Sequence, residues 1–234
     1  MSIILVFLAA LGAIAAWWLS QQRLMAKPWL EVGAIDDLQD TGASSLPAAT
    51  IGLGVFLAVI GSLFALLISA YFMRMHAADW RLLPAPMLLW LNTGMLILSS
   101  AALQWAQVAA RRGQIDNVII GILAAGVCAL AFLVGQLLVW QQLNAAGYFL
   151  ATNPANAFFY LLTGLHGLHL LGGLVALALT ADKVRRGFEL GQVLLSVRLC
   201  AIYWHFLLLL WLVLFCLLTP WVDDFVAICR QLVT

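Results

Sequence analysis

The chain is organised by long uncharged runs. Six stretches, about residues 2 to 19, 51 to 73, 86 to 110, 117 to 143, 155 to 180 and 199 to 221, contain no Asp, Glu, Lys or Arg. Each approaches or exceeds the roughly 20 residues that a helix needs to cross a hydrocarbon core. None shows the alternation of a barrel strand, and all are longer than its roughly 9–11 residues, so the spanning element is the helix. The pattern predicts an all-α, polytopic transmembrane bundle of six helices. A five-helix core over residues 51–221 follows an N-terminal helix within residues 1–27, a linker over 28–50 and, after the core, a tail over 222–234. The linker, PWLEVGAIDDLQDTGASSLPAAT, carries four acids with Gly, Ser and Pro, so the first helix is set apart from the other five.

Composition agrees. Of 234 residues, 65% are hydrophobic and 9% charged, against roughly 45–50% and 25% in a soluble domain. The net charge of +1 leaves no basic surface for nucleic acid. In the first run the basic residues, Arg23 and Lys27, follow the apolar part, which reads as a retained helix with its N-terminus outside rather than a cleaved signal. The connections after the first, third and fifth runs hold Arg23, Lys27, Arg111, Arg112, Lys183, Arg185, Arg186 and Arg198, while the other side holds Arg74, Arg81 and Arg230. That bias places the first group in the cytoplasm and both termini on the outer side of a bacterial-type inner membrane.

Polar groups inside the runs are the candidate chemistry. His166 and His169 lie three apart in FFYLLTGLHGLHLLGG, and His205 lies in CAIYWHFLLLLWL. Neutral imidazole is a frequent haem or metal ligand. A b-type haem would take His205 with one of the other two, whereas copper or zinc would need further ligands that no intramembrane Cys or carboxylate supplies. The alternative is a set of neutral, hydrogen-bonded interior histidines, with Thr163, Tyr203, Asn92 or backbone carbonyls as partners and neighbouring glycines allowing close helix approach. Asn92, Thr93, Ser99, Ser100, Gln104 and Gln107 of the third run fall on more than one face and can satisfy one another between helices. A transporter would show broken helices, repeats or a midplane charge, and none is visible. Cys128, Cys200 and Cys216 fall inside the runs and Cys229 stands alone near the C-terminus, so no disulfide framework is indicated.

Trp17, Trp18, Trp29, Trp80, Trp140 and Trp221 sit where interfacial aromatic belts sit. Arg74, Trp80, Trp90, Arg81, Arg111 and Arg112 are candidates for lipid contact at the membrane surface.

The run FFYLLTGLHGLHLLGGLVAL, followed some thirty residues on by YWHFLLLLWLVLF, resembles the last two helices of subunit III of haem-copper terminal oxidases, the cytochrome c and quinol oxidase family. GLGVFLAVIGSLFALLISAYFMR, PAPMLLWLNTGMLILSS and GQLLVWQQL resemble that family's third, fourth and fifth helices. The resemblance covers about residues 50 to 220. It implies an accessory subunit with no catalytic residues, packed beside oxidase subunits I and II. Haem and copper belong to those partners, none to this chain, and phospholipid is bound in a cleft. The complex would reduce O₂ to water and translocate protons. The same fold attached to a nitric oxide reductase, or a b-haem membrane anchor using the histidines, are the alternatives.

Two departures from the family pattern stand out. Where the family commonly reads FLASEVMLF, this chain reads FLAVIGSLF, with Ile60 at the glutamate position. Where the family follows YWHF with Val-Asp, Leu207 and Leu208 follow here. With both carboxylates absent, nothing favours an imidazolium at that depth. The histidines are expected to be neutral structural groups, and the role to be assembly, lipid retention and protection of subunit I.

Overall fold

A computed structural model of the chain describes residues 48–219, apart from positions 78, 82, 84, 85 and 189. The first apolar run, most of the acidic linker, the C-terminal tail, Trp17, Trp18, Trp29, Trp221 and Cys229 lie outside the described residues. The described residues form five helices and no strand: α1 Ala48–Arg74, α2 Leu88–Arg111, α3 Ile115–Ala145, α4 Pro154–Arg185 and α5 Leu190–Leu218. Six helices were expected. The five seen are the expected core, and the sixth, at residues 2–19, falls outside the described residues.

Local sequence explains the ends. Asn153 caps α4, its side chain accepting from the Ala155 N–H, and Pro154 occupies the first helical position; proline has no N–H to lose there and its φ is already helical. Gly113, Gly147 and Gly187 hold φ of 70, 88 and 70° just beyond α2, α3 and α4, the left-handed conformation that closes a helix C-terminus.

Around the bundle, α2 packs on α3, α3 on α4, α4 on α5, and α5 returns to α2; α1 lies outside this ring, against α4 and α5. Lysines and arginines gather at one end, Arg111, Arg112, Lys183, Arg185, Arg186 and Arg198, with Arg74 and Arg81 at the other. Large apolar side chains such as Val59, Leu66, Val127, Leu168 and Leu209 point outward, as in a protein whose solvent is hydrocarbon.

Four helices are long and apolar enough to cross a membrane by length and composition: α1, α3, α4 and α5. The expected span at 86 to 110 corresponds to α2, whose 24 residues are long enough. Its amides and hydroxyls lower its hydropathy, yet Asn92, Thr93, Ser99 and Ser100 are all buried. These four face inward, where neighbouring helices can satisfy them, while Gln104 of the same helix is exposed.

Two boundaries differ from expectation. α5 starts at Leu190 rather than about 199, and α4 runs on to Arg185 rather than stopping near 180. Scanning for uncharged runs measures the apolar thickness. It does not register that a helix continues into water, where Asp182 pairs with Arg186 over one turn at 2.8 Å and Arg198 extends outward.

Close approach of helices depends on missing side chains. A Cβ at Gly173 of α4 would lie 2.8 Å from Tyr203 and 2.9 Å from Trp204 of α5, and one at Gly135 of α3 would overlap the Asn92 amide of α2. At Gly172 a Cβ meets nothing within 4 Å. Gly173→Val is therefore expected to lower the unfolding midpoint in detergent, with an overpacking cost of about 1–3 kcal/mol. Gly172→Ala, one residue away, should hold or raise it, by up to about 1 kcal/mol. Equal effects of the two substitutions would contradict this packing.

Candidate functional site

Within the bundle one hydrogen-bonding device recurs. A tryptophan indole on one helix donates to a hydroxyl on its neighbour, and that hydroxyl donates to a backbone carbonyl. Trp211 of α5 donates to Thr93 Oγ1 of α2 at 3.0 Å, and Thr93 donates to Leu89 O. Trp204 of α5 donates to Ser99 Oγ of α2 at 2.7 Å, and the Ser99 hydroxyl donates to Ala125 O of α3 at 2.7 Å. Trp140 of α3 donates to Thr163 Oγ1 of α4 at 3.2 Å, and Thr163 donates to Phe159 O. Asn92 Nδ2 donates to Gln136 Oε1, joining α2 to α3. Since no water reaches a hydrocarbon core, each such bond removes a polar group that would otherwise be unsatisfied.

His166 sits at the centre, fully buried. Its Nε2–H donates to Leu207 O of α5 at 3.1 Å. Its ring lies 5.6 Å from that of Phe132 and 5.1 Å from that of Trp211. With Nε2 carrying the proton, Nδ1 is a bare lone pair, and it has no partner.

His169 faces a different neighbour. Its Nδ1–H donates to Leu165 O at 2.8 Å, Tyr203 Oη–H donates to the His169 carbonyl at 2.8 Å, and Phe64 of α1 meets the ring edge-on at 5.7 Å. His205 lies on the outer, exposed face of α5, not in the interior where the sequence had placed it. Its Nε2–H donates to Gln104 Oε1 at 3.0 Å, and Nδ1 accepts from the Ser100 hydroxyl. The three histidines share no hydrogen-bond or ring partner. Nor, among the described residues, do three or more His, Cys, Asp or Glu converge as metal ligands would.

Ile60 is buried in the apolar core. Leu207 serves the site through its carbonyl, and Leu208 is part of the apolar packing.

Among the candidates for lipid contact, Arg74 forms a two-pronged ion pair with Asp79, with Nη1 to Oδ1 at 2.8 Å. The bond from Arg74 holds the Asp79 carboxyl below its usual range. Trp80 stacks edge-on to Tyr71 at 4.9 Å and lies beside Phe158. Arg81 is held through its backbone, whose carbonyl accepts from Asn153 Nδ2. Trp90 meets Phe215 edge-on at 4.8 Å, and Arg111 and Arg112 are exposed. These residues do not gather at one place: Arg74, Trp80 and Arg81 share one end with Trp90, and the two adjacent arginines occupy the other.

Sequence reasoning missed Trp204, Trp211 and Phe132. Their signal was present: Trp204 and Trp211 in YWHFLLLLW stand seven apart, two helical turns, and so share a face with each other but not with His205.

A family model described as cytochrome c oxidase subunit III matches residues 50–223. The chain is similar to cytochrome c oxidase subunit 3 of Thermostichus vulcanus, 34% identical over 129 residues, covering 55% of this chain and 63% of the relative. It is also similar to a probable cytochrome c oxidase subunit 3 of Mycobacterium tuberculosis (strain ATCC 25618 / H37Rv), 34% identical over 126 residues, covering 53% and 61%. A third, a probable cytochrome c oxidase subunit 3 of Nocardia farcinica, is 28% identical over 173 residues, covering 71% and 84%. The chain thus spans about three-fifths of the length of the first two relatives.

Two outcomes check the site. Trp211→Phe keeps a ring in place and removes the donor, and in a double-mutant cycle with Thr93→Val the coupling should be about 0.6–2 kcal/mol. Additive losses would show that the bond contributes nothing. For the Arg74–Asp79 pair, a carboxyl whose folded pKa lies below its unfolded value stabilises at neutral pH and loses that contribution as pH falls through the folded value. Amide exchange in the segment around residues 75–81 should be constant from about pH 7 to 5, after correction for intrinsic rates, and rise relative to the bundle below about pH 4.

Proposed function

Because this chain belongs to the cytochrome c oxidase subunit III family, we propose that it works as the non-catalytic third subunit of a haem-copper terminal oxidase. Its partners in this reading are subunits I and II, which hold the haem and copper, reduce O₂ to water and translocate protons. This chain supports assembly, retains phospholipid and protects subunit I. The observation that carries the reading is the fate of the intramembrane polar groups. Tryptophan–hydroxyl bonds and the His166 bond to Leu207 O join one helix to the next, His169 bonds Leu165 O on its own helix, and Ile60 and Leu208 stand where the resemblance would put carboxylates. Such an interior holds helices together.

Lipid retention is supported by an apolar groove of about 510 Å³ between the end of α1 and the start of α4, lined by Ala70, Met73, Arg74, Pro154, Ala157 and Phe158. The end rich in Lys and Arg faces the cytoplasm by the positive-inside rule, which sets the start of α1 inside and the end of α5 outside. The N-terminal apolar run then forms the sixth span.

Affinity purification of the tagged chain in mild detergent, followed by mass spectrometry, tests the reading. Subunits I and II of a haem-copper oxidase should be recovered in near-stoichiometric amounts. Recovery without them, or with the catalytic chain of a nitric oxide reductase, overturns it. The purified chain alone should show no haem absorbance, whereas a bis-histidine Soret band would establish a haem anchor.

A further inference from the structure

The outward face of the α2–α5 pair carries polar groups where hydrocarbon should lie. Gln104 and His205 are both exposed and bonded to each other at 3.0 Å. At the cytoplasmic end of the same seam, Arg111 of α2 and Arg198 of α5 line one pocket of about 270 Å³ with Gln107, Leu194 and Leu195. Arg111 is seven residues from Gln104, and Arg198 seven residues from His205. The two antiparallel helices therefore present two matched rungs, one basic and one amide–imidazole, separated by about 10 Å along the seam.

Both rungs are incomplete. Among the described residues neither Arg111 nor Arg198 has a carboxylate partner. His205 uses both ring nitrogens within the seam, but among the described residues the Gln104 amide N–H₂, with two donors, has no acceptor. In hydrocarbon an unpaired amide costs several kcal/mol.

We propose that this seam docks one transmembrane helix of a partner subunit. That helix carries an acidic residue at the cytoplasmic boundary, opposite Arg111 and Arg198, and an oxygen-bearing side chain about two turns deeper, against Gln104. The inference rests on the reading that the chain works inside a multi-subunit complex, and it adds which face meets the partner and by what chemistry. Charge and depth select this occupant over the others. A second copy, related by an axis along the membrane normal, brings its own arginines to the same end, and like charges repel. The apolar run 2–19 of this chain has no oxygen-bearing side chain between Ile3 and Leu19, so it offers Gln104 no acceptor. An anionic lipid satisfies the arginines but lays its acyl chains over Gln104, where they accept nothing.

Photocrosslinking in native membranes tests this. A benzoylphenylalanine is placed at Ile97 or Leu209, which flank the seam, or at Val134 or Leu137, which are exposed on α3. The seam positions should crosslink to a single other polypeptide, and the peptide recovered by mass spectrometry should be a spanning segment with Asp or Glu at its boundary and Ser, Thr, Asn, Gln, Asp or Glu about seven residues deeper. Arg111→Glu with Arg198→Glu should reduce that crosslink about tenfold or more, since like-charge juxtaposition weakens association by at least that factor. Leaving the charges intact and replacing Gln104 by Leu should also weaken it. Crosslinks to lipid, to a second copy, within the chain, to a segment lacking those groups, or equally from α3 would overturn the proposal, as would no crosslink at all. The two readings fail separately. Oxidase subunits that co-purify but crosslink only through α3 leave the functional reading standing and remove this one. A crosslinked helix of the stated chemistry in a chain of some other complex does the reverse.

Discussion

A helix bundle in hydrocarbon has no solvent for its leftover polar groups, and the arrangement of this protein follows from that constraint. Three indole N–H groups find hydroxyls on adjacent helices, and each hydroxyl in turn donates a hydrogen bond to a carbonyl. A hydroxyl can donate and accept together, so one small side chain between two helices settles two demands. Leucine packing gives no comparable preference for one neighbour over another, because lipid tails are as apolar as leucine. Register between α2 and α5 therefore rests on Trp204 with Ser99 and Trp211 with Thr93, and the central His166 adds a third cross-helix bond between α4 and α5.

The outer face of the ring divides by chemistry. Most of it is apolar and continuous with lipid. The seam of α2 and α5 departs from this, with Gln104 and His205 exposed between Arg111 and Arg198 on one side and apolar residues on the other. The same rule that organises the interior makes this strip an incomplete structure when the chain is alone. A protein that joins its helices through interior hydrogen bonds and leaves an amide exposed at its surface is shaped for an assembly.

How much of this was legible in the sequence varies by element. Charge-free runs located all five described helices, since the absence of charge is a direct consequence of the hydrocarbon. They misplaced the cytoplasmic ends of α4 and α5, because a helix is set by backbone hydrogen bonds and goes on past Thr180 and before Leu199 into water. The polar side chains of α2 were expected on more than one face, but the pairing of Thr93 and Ser99 with tryptophans was not foreseen, because sequence spacing fixes faces within a helix and leaves the rotation of its neighbour open. The same ambiguity misplaced His205: it sits one residue after Trp204, about 100° round the helix, which is enough to move a side chain from the core to the rim. The TGLHGLH and YWHF motifs identified the family without revealing that their histidines serve three separate neighbourhoods.

The position of α1 has a consequence for how the chain is made. Among the described residues it packs only on α4 and α5. The segment that follows it is fastened by Asn153, 72 residues after Arg81, and its end is held by Phe158 against Tyr71. By contrast, α2 and α3 meet across residues 112–114 and can pair as soon as both are in the membrane. During synthesis the helix that emerges first among these five must therefore wait for its partners among them until the last two have been delivered. Its neighbours among the described helices do not yet exist when it leaves the ribosome, so a chain stalled before α4 would hold a paired α2–α3 hairpin and an α1 still lacking both of those helices.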